Sequence, residues 1–279
     1  MKITPKVILV TGASSGIGYD SALTLAAQGH RVYAAARRVE LMEPLKASGV
    51  QVLRMDVTDE ASMKEGVEAI LNREGRIDVL FNNAGYGYFG AVENVTMAEA
   101  RRQVEVNVFG LARLCQLVLP AMRQQGSGRI INTSSIAGRV TFYFGAWYNV
   151  SKYAVEALSD AMRMEVKPFG IDVVLIEPGP IKTDWGLIAA RNLTDSSVGT
   201  PYEQQARPWA NAMRWAYESR FFSGPKVIAR AVNHAVNSRR PHTRYCRGRG
   251  ARLTLILRAL LPTRCWDALM RQASKLRLG

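Results

Sequence analysis

Residues 6–18 read Lys6-Val7-Ile8-Leu9-Val10-Thr11-Gly12-Ala13-Ser14-Ser15-Gly16-Ile17-Gly18. A short apolar run of strand type meets a glycine loop, and a helical pattern follows as far as Gln28, where Gly29 stops it. Strand, glycine loop and helix in that order are what a dinucleotide pyrophosphate requires. Gly12 permits the tight turn, Gly16 lets backbone approach the pyrophosphate, and Gly18 allows helix and strand to pack closely. The helix N-terminus offers N–H groups to phosphate, so Ser14, Ser15 and Ile17 join the three glycines in the expected contact set. Glycines can also serve turns alone; the flanking strand and helix favour the ligand.

Outward from this stretch, strand and helix patterns alternate. Apolar runs at 31–35, 51–55, 78–81, 129–133 and 172–176 read as strands, and 60–73, 96–124 and 146–167 read as helices. Such alternation predicts an α/β fold, a doubly wound parallel sheet of Rossmann type with helices on both faces and ligands at the strand carboxyl ends. Gly12, Arg37, Asp56, Asn83, Ser135 and Pro178 follow six different strands and would converge on one crevice. Pro120, inside the 96–124 stretch, is expected to kink it.

The second strand is followed by Ala36, Arg37 and Arg38. A site for NAD usually places a carboxylate there to bind the ribose 2′-OH. Two cations suit the 2′-phosphate instead, so NADP (NADPH) is the expected cofactor and NAD the second choice. The alternative is a solvated helix start. Asp56, followed by Val57, could bind an adenine amino group or cap the helix that begins at Asp59. Asn82-Asn83-Ala84-Gly85 offers small residues against which a cofactor can lie.

Residues 135–152 read SIAGRVTFYFGAWYNVSK. Tyr148 and Lys152 stand four apart in a helical pattern and share a face, one turn apart. Phenol beside ammonium is a proton-transfer pair. An ordinary tyrosine, with a pKa of about 10, exchanges protons poorly at neutral pH, and a nearby cation lowers that value. Ser135 could hold a substrate oxygen beside the phenol. Taken alone, the pair could be packing plus a solvated charge; the converging strand ends argue for chemistry.

Composition bounds the remainder. The 279 residues suffice for one large α/β domain. Cys115, Cys246 and Cys265 show no CxxC spacing, and His30, His234 and His242 stand apart, so neither a disulfide framework nor a metal site is expected. No signal peptide fits before the first strand, and no apolar run approaches the roughly 18 residues of a membrane span, so a cytoplasmic protein is expected. The net charge of +14 is uneven: residues 239–279 hold eleven Lys/Arg against the single Asp267. The tail, a basic apolar helical extension at 251–279 beyond a Rossmann domain at 1–250, is therefore where an anionic partner would meet the chain. Leu253-Thr254-Leu255-Ile256-Leu257-Arg258-Ala259-Leu260-Leu261 reads as a helix for peripheral membrane contact, or for closing the pocket or meeting another subunit. Nucleic acid is not an expected partner, since no RNA signature or helix-turn-helix pattern appears. Residues 184–223 break the alternation and are rich in aromatics, as a binding loop or a packed helical pair would be.

The motifs together resemble the short-chain dehydrogenase/reductase family. Its TGxxxGxG is matched at 11–18, NNAG at 82–85, YxxxK at 148–152 and PGxxxT at 178–183; Ser135 stands thirteen residues before Tyr148, with Ser134 the lesser candidate, and Asn107 lies in Asn107-Val108-Phe109-Gly110. Asn83-Ala84-Gly85-Tyr86-Gly87, Glu177-Pro178-Gly179-Pro180 and Thr243-Arg244-Tyr245 are most similar to the 17β-hydroxysteroid and retinol dehydrogenase-like branch. Ser15 stands where some NADP-preferring members carry a basic residue, which leaves cofactor choice to Arg37 and Arg38. The resemblance implies hydride transfer between a nicotinamide and a hydrophobic alcohol, ketone or aldehyde. Tyr148 would be the general acid or base, Lys152 would lower its pKa and bind the nicotinamide ribose, and Ser135 would orient the carbonyl. Asn107 would hold a water joining Lys152 to solvent, and Ile181 and Thr183 would hold the carboxamide, with Pro178 and Gly179 beside them. Tyr86, Tyr88, Tyr143, Phe144, Trp147 and Trp185 would line the substrate pocket, and a homodimer or homotetramer is expected.

Overall fold

The computed structural model describes residues 4–219 and 222–273. Its strands are β1 (Val7–Thr11), β2 (Arg31–Ala36), β3 (Gln51–Arg54), β4 (Val79–Asn82), β5 (Gly128–Thr133), β6 (Ile171–Pro178) and β7 (Arg244–Arg247). Its α-helices are α1 (Gly16–Ala26), α2 (Glu60–Glu74), α3 (Met97–Val104), α4 (Gly110–Gln124), α5 (Ala146–Val166), α6 (Asp184–Asp195), α7 (Glu203–Glu218), α8 (Lys226–Asn237), α9 (Ala251–Leu260) and α10 (Thr263–Ala273). The strands form one parallel sheet in the order β3-β2-β1-β4-β5-β6-β7. The chain runs outward from β1 to β3 and then returns to β4 on the other side of β1. That reversal splays the following loops apart and opens a crevice at the strand carboxyl ends.

Side-chain alternation divides the interior in two. Val7 and Leu9 of β1 enter a core with Met63 and Ile70 of α2, Leu114 and Val118 of α4 and Val155 of α5. Ile8 and Val10 enter the other, with Ala22 and Leu25 of α1 and Ile228 and Val232 of α8. Because β1 is covered on both faces, its sequence is a continuous apolar run. Each fully buried aliphatic side chain contributes about 1.5–3 kcal/mol. An aspartate at Val10 would forfeit that and bury an unpaired carboxylate as well.

Two segments differ from the sequence reading, and residues 184–223 take the packed helical pair it offered. The 96–124 stretch is one continuous helical rod interrupted by a π-helical turn at Glu105–Phe109, while Pro120 sits within an unbroken α4. By length and hydropathy this rod could cross a membrane, contrary to the expectation that no segment would. Its apolar face instead meets the sheet through Leu111, Leu114, Cys115, Val118 and Met122. Asp59 itself caps α2 by accepting from the N–H groups of Ala61 and Ser62, whereas Asp56 accepts from Thr58. Residues 184–223 form the α6–α7 pair, and Phe221 lies outside the described residues.

The tail packs on the body, and two of its contacts fasten it near the cavity. A Cβ on Gly179 would come within 2.8 Å of Ala251 Cβ at the start of α9. The Trp266 indole of α10 is buried and donates to the Thr141 carbonyl at 3.3 Å. Lys275 and Arg277, counted in the basic tail, lie outside the described residues.

Candidate active site

The strand ends and the α6–α7 pair enclose a cavity of about 940 Å3. Gly12, Ser14, Ser15, Gly16 and Ile17 line it from the glycine loop, and Arg37, Arg38, Asp56 and Val57 from the ends of β2 and β3. Asn83, Ala84 and Gly85 enter after β4, Ser135, Tyr148 and Lys152 after β5 and from α5, and Pro178, Gly179, Ile181 and Thr183 around the end of β6. Gly18 and Asn107 stand behind this wall.

The glycine loop is built for close approach. Gly12 adopts φ +64°, and a Cβ there would sit 2.7 Å from Ala84 Cα; one on Gly18 would sit 2.4 Å from the Gly12 carbonyl oxygen. Ser15 is the N-cap of α1 but makes no side-chain capping bond, so the first-turn N–H groups face the cavity without a capping side chain. Together with the helix dipole they fit an anionic group, and the side-chain-free wall at Gly12 fits a flat dinucleotide phosphate bridge.

Asn83 lines the cavity, and its side-chain amide is engaged by the glycine loop. The amide Nδ2 donates to the carbonyls of Thr11 and Gly12, at 3.2 and 3.3 Å. Those loop carbonyls need donors once strand pairing ends, so Asn83 holds the glycine loop in shape. At the opposite edge, Arg38 donates to Ser14 Oγ at 3.4 Å, and Arg37 stands 4.0 Å from Asp56. Both arginines are exposed, and so distant an exposed pair adds little stability.

Tyr148 and Lys152 are both buried. Lys152 Nζ donates to the Thr133 carbonyl at 2.8 Å and lies 5.9 Å from the centre of the Tyr148 ring. Burial pushes the Tyr148 phenol up to about 12, opposed by a hydrogen bond with Ser135. Desolvation is the larger influence on the phenol, and the Lys152 ammonium is turned to the Thr133 carbonyl. Burial also brings Lys152 down to about 8, with Glu156 pulling the other way. Ser135 Oγ accepts from Ala137 N–H at 3.1 Å and donates to the Pro178 carbonyl at 3.3 Å. Asn107 lies in the π-helical turn. Its side chain accepts from Tyr86 N–H, donates to the Tyr86 carbonyl and donates to Ser151 Oγ.

The apolar half of the cavity comes partly from unexpected residues. Tyr86, Tyr88 and Trp185 line it, but Tyr143, Phe144 and Trp147 do not. Phe144 turns inward at φ +58° into a satellite core, and Tyr143 Oη hydrogen-bonds Gln205. Phe89, Phe142, Trp209 and Tyr217 take their place. The Trp185 and Phe89 ring centres lie 4.9 and 5.8 Å from that of Tyr148. The aromatic density of 184–223 was the available signal for Trp209 and Tyr217; Phe89 and Phe142 had none.

A buried charge cluster behind Lys152 also had no local signal. Arg244 of β7 pairs with Glu156 at 3.0 Å and Asp160 at 2.6 Å on α5. Its Nε stands 3.0 Å from Glu177 of β6, close enough for an ion pair though off hydrogen-bond alignment. Arg139 reaches the other Glu177 oxygen at 3.4 Å. Burial raises both glutamates above the usual carboxylate range, and Glu156 raises Glu177 further.

A short chain dehydrogenase family model matches residues 6–190 of this sequence. The probable short-chain type dehydrogenase/reductase VdlC of Helicobacter pylori is 38% identical over 263 residues, covering 94% of this chain and 96% of that protein. This chain is a short-chain dehydrogenase/reductase. A second relative in the family, a 3-ketodihydrosphingosine reductase of Bacteroides thetaiotaomicron, is 43% identical over 192 residues, 68% of this chain and 69% of that one. Among solved structures, a short-chain dehydrogenase/reductase from Burkholderia phymatum in complex with NAD superposes with a TM-score of 0.79 at 26% identity, covering 93% of this chain and 94% of that one. An alcohol dehydrogenase from Thermococcus sibiricus complexed with 5-hydroxy-NADP gives 0.70 at 26% identity, covering 88% and 97%. Membership of the family makes the chain an oxidoreductase with a nicotinamide cofactor.

Proposed function

We propose that this short-chain dehydrogenase/reductase uses NADP(H) to interconvert a hydrophobic, lipid-like ketone or aldehyde and its alcohol. The observation that carries the reading is the placement of Tyr148 between two chemistries. Its ring packs against Trp185 and Phe89 on the apolar side of the cavity, while Lys152, Ser135 and the glycine loop stand on the polar side. A steroid, retinoid or long-chain carbonyl would be held by those rings through burial of apolar area. The name of the Bacteroides relative, a reductase of a long-chain keto lipid, supports the same class.

The uncapped first turn of α1 would hold the pyrophosphate, Ile181 and Thr183 the carboxamide, and Lys152 the ribose beside it. Arg37 and Arg38 would bind the 2′-phosphate that distinguishes NADP(H), as charge-assisted donors at the end of β2, the phosphate outcompeting the long 4.0 Å pairing of Arg37 with Asp56. A bound nicotinamide would supply or accept the hydride. The chain's own part is position and proton. Ser135 Oγ would turn from the Pro178 carbonyl to donate to the substrate oxygen and fix its orientation. Tyr148 would protonate that oxygen in reduction and take the proton back in oxidation. A phenol held near 12 keeps its proton at neutral pH, which suits the reductive direction. Lys152 would then lower the phenol as a bound ribose draws the ammonium from the Thr133 carbonyl toward the cavity. Asn107, fixed by Tyr86 and Ser151, would hold the water that reconnects Lys152 with solvent.

The test is a substrate screen with purified protein, following NADPH consumption with steroid ketones, retinal, long-chain aldehydes, a 3-keto lipid and small ketones. Turnover of at least one long apolar carbonyl, with NADPH preferred over NADH at least tenfold in kcat/KM, supports the reading. Preference for small polar carbonyls, or for NADH, sinks it. A cytoplasmic homo-oligomer is proposed with it. Phe109, Val150, Tyr153 and Met164, exposed around α4 and α5, are residues a second copy would cover; sedimentation velocity giving only monomer would refute the oligomer.

A further inference from the structure

α9 wears its apolar side outward. Leu253, Ile256, Leu257 and Leu260 recur at the spacing of a single helix face, and they are 59%, 55%, 37% and 74% exposed. The opposite side carries Ala251, which is buried, with Thr254, Leu255 and Arg258 half-buried. A helix of a globular protein normally turns its apolar stripe to the core; here that polarity is inverted. One exposed leucine is ordinary, but four neighbouring apolar side chains make a patch. Leu269 of α10 is exposed as well.

The surroundings of the patch are cationic. Arg252 and Arg258 of α9 and Arg264 and Arg271 of α10 stand against one acid, Asp267, and Arg252 and Arg264 are exposed. We propose that α9 docks the protein on an anionic lipid surface, its apolar face in the acyl boundary and the arginines at the headgroups. Charge complementarity selects this occupant. A second copy of the chain would bring the same arginines to the same interface, like against like, whereas anionic headgroups neutralise them.

The position of α9 gives the contact a use, which rests on the lipid-like substrate proposed above. Its first residue packs on Gly179 of the cavity wall. α10 is pinned through Trp266 to Thr141, the residue before Phe142 of that wall. These two attachments of the tail are at the rim of the cavity, so a bilayer under α9 lies beside the apolar half of the site. An apolar carbonyl dissolved in that bilayer would then reach Tyr148 by a short path.

The experiment is co-sedimentation of the full chain with vesicles of phosphatidylcholine alone or mixed with phosphatidylglycerol, at low and high salt. Three proteins are compared: the parent, a variant with Leu253→Ser, Ile256→Ser, Leu257→Ser and Leu260→Ser, and a variant with Arg252→Glu and Arg264→Glu. The parent should pellet with the anionic vesicles at low salt, be released by high salt and ignore phosphatidylcholine. Both variants should bind at least tenfold more weakly while keeping the parental melting temperature and the parental turnover of a water-soluble ketone. A parent that stays in the supernatant with anionic vesicles overturns the proposal, as does a serine variant that pellets like the parent. A serine variant that converts a dimer to monomer, with no vesicle binding by the parent, assigns the face to a second copy and overturns it too. Lipid binding is read without substrate, so a failed substrate screen would leave this result intact.

Discussion

Lys152 spends its ammonium on the carbonyl oxygen of Thr133, the last residue of β5, at 2.8 Å. The bond joins the middle of α5 to the end of the strand that precedes Ser135. Burial governs both the Tyr148 phenol and the Lys152 ammonium, and that fixes the sign of several measurements.

The first concerns Lys152 and stability. Its folded pKa, about 8, lies below the value of 10.5 for the free side chain. Below about 8 both folded and unfolded chains carry the charge, and the full cost of burying it is present. Between about 8 and 10.5 the folded chain releases the proton first, so the cost fades as pH rises. Lys152→Met should therefore abolish turnover yet raise stability at pH 7 by about 1–3 kcal/mol, the loss of the Thr133 bond offsetting part of the gain. Thermal melts of parent and variant should converge as pH approaches 10.5. A variant less stable than the parent at pH 7 would show that the Thr133 bond outweighs desolvation.

Tyr148→Phe keeps the ring between Trp185 and Phe89 and removes only the hydroxyl. NADPH binding by fluorescence titration should change little, while turnover falls roughly 100-fold or more. In the parent, alcohol oxidation should rise with pH through the pKa of a phenol that burial raises and Lys152 draws back down once the ribose is bound, because the base is its deprotonated form. Oxidation that is flat from pH 7 to 10 would remove Tyr148 from the role of base.

Arg37→Ala combined with Arg38→Ala touches two exposed side chains. NADPH affinity should fall roughly 10- to 100-fold, the worth of charge-assisted hydrogen bonds, with NADH affinity nearly unchanged. Equal losses for both cofactors would make the arginines supports of the loop around Ser14.

Arg244→Met strips the shared cation from Glu156, Glu177 and Asp160. Leaving buried carboxylates without their partner should cost about 3 kcal/mol or more at pH 7. The two glutamates already have raised pKa values. Their contribution is therefore greatest at acidic pH and is lost as pH rises through the folded values. The deficit of the variant, read by urea melts, should shrink from pH 7 toward pH 5. An equal deficit at both pH values would place the role of Arg244 in packing.

How much of this was legible depended on the range of the signal. Strand, glycine loop and helix at 7–26, the Tyr148–Lys152 spacing and the lining role of Arg37 and Arg38 are local patterns, and the structure brings them to one cavity. The π-helical turn at Glu105–Phe109 was not legible, because one extra residue in a turn leaves no compositional mark. Asn83 was legible as part of a motif, but the direction of its amide depends on carbonyls some 70 residues earlier. Phe144 was misplaced for a related reason: its left-handed backbone swings the ring away from the face that spacing alone assigns. The pairing of Arg244 with Glu156 and Glu177 joins three distant stretches and could be seen only once the sheet order was known.

That last pairing has a temporal consequence. β6 ends at Pro178 and β7 begins at Arg244, so as the chain is synthesised the catalytic helix and its neighbouring strand emerge well before the cation that neutralises them. Until Arg244 arrives, Glu177 has Arg139 beside it while Glu156 lacks its ion partner. A chain cut short before β7 would hold all its catalytic residues yet bury Glu156 without the cation that pairs with it, so the last strand of the sheet supports a wall that was complete in sequence long before.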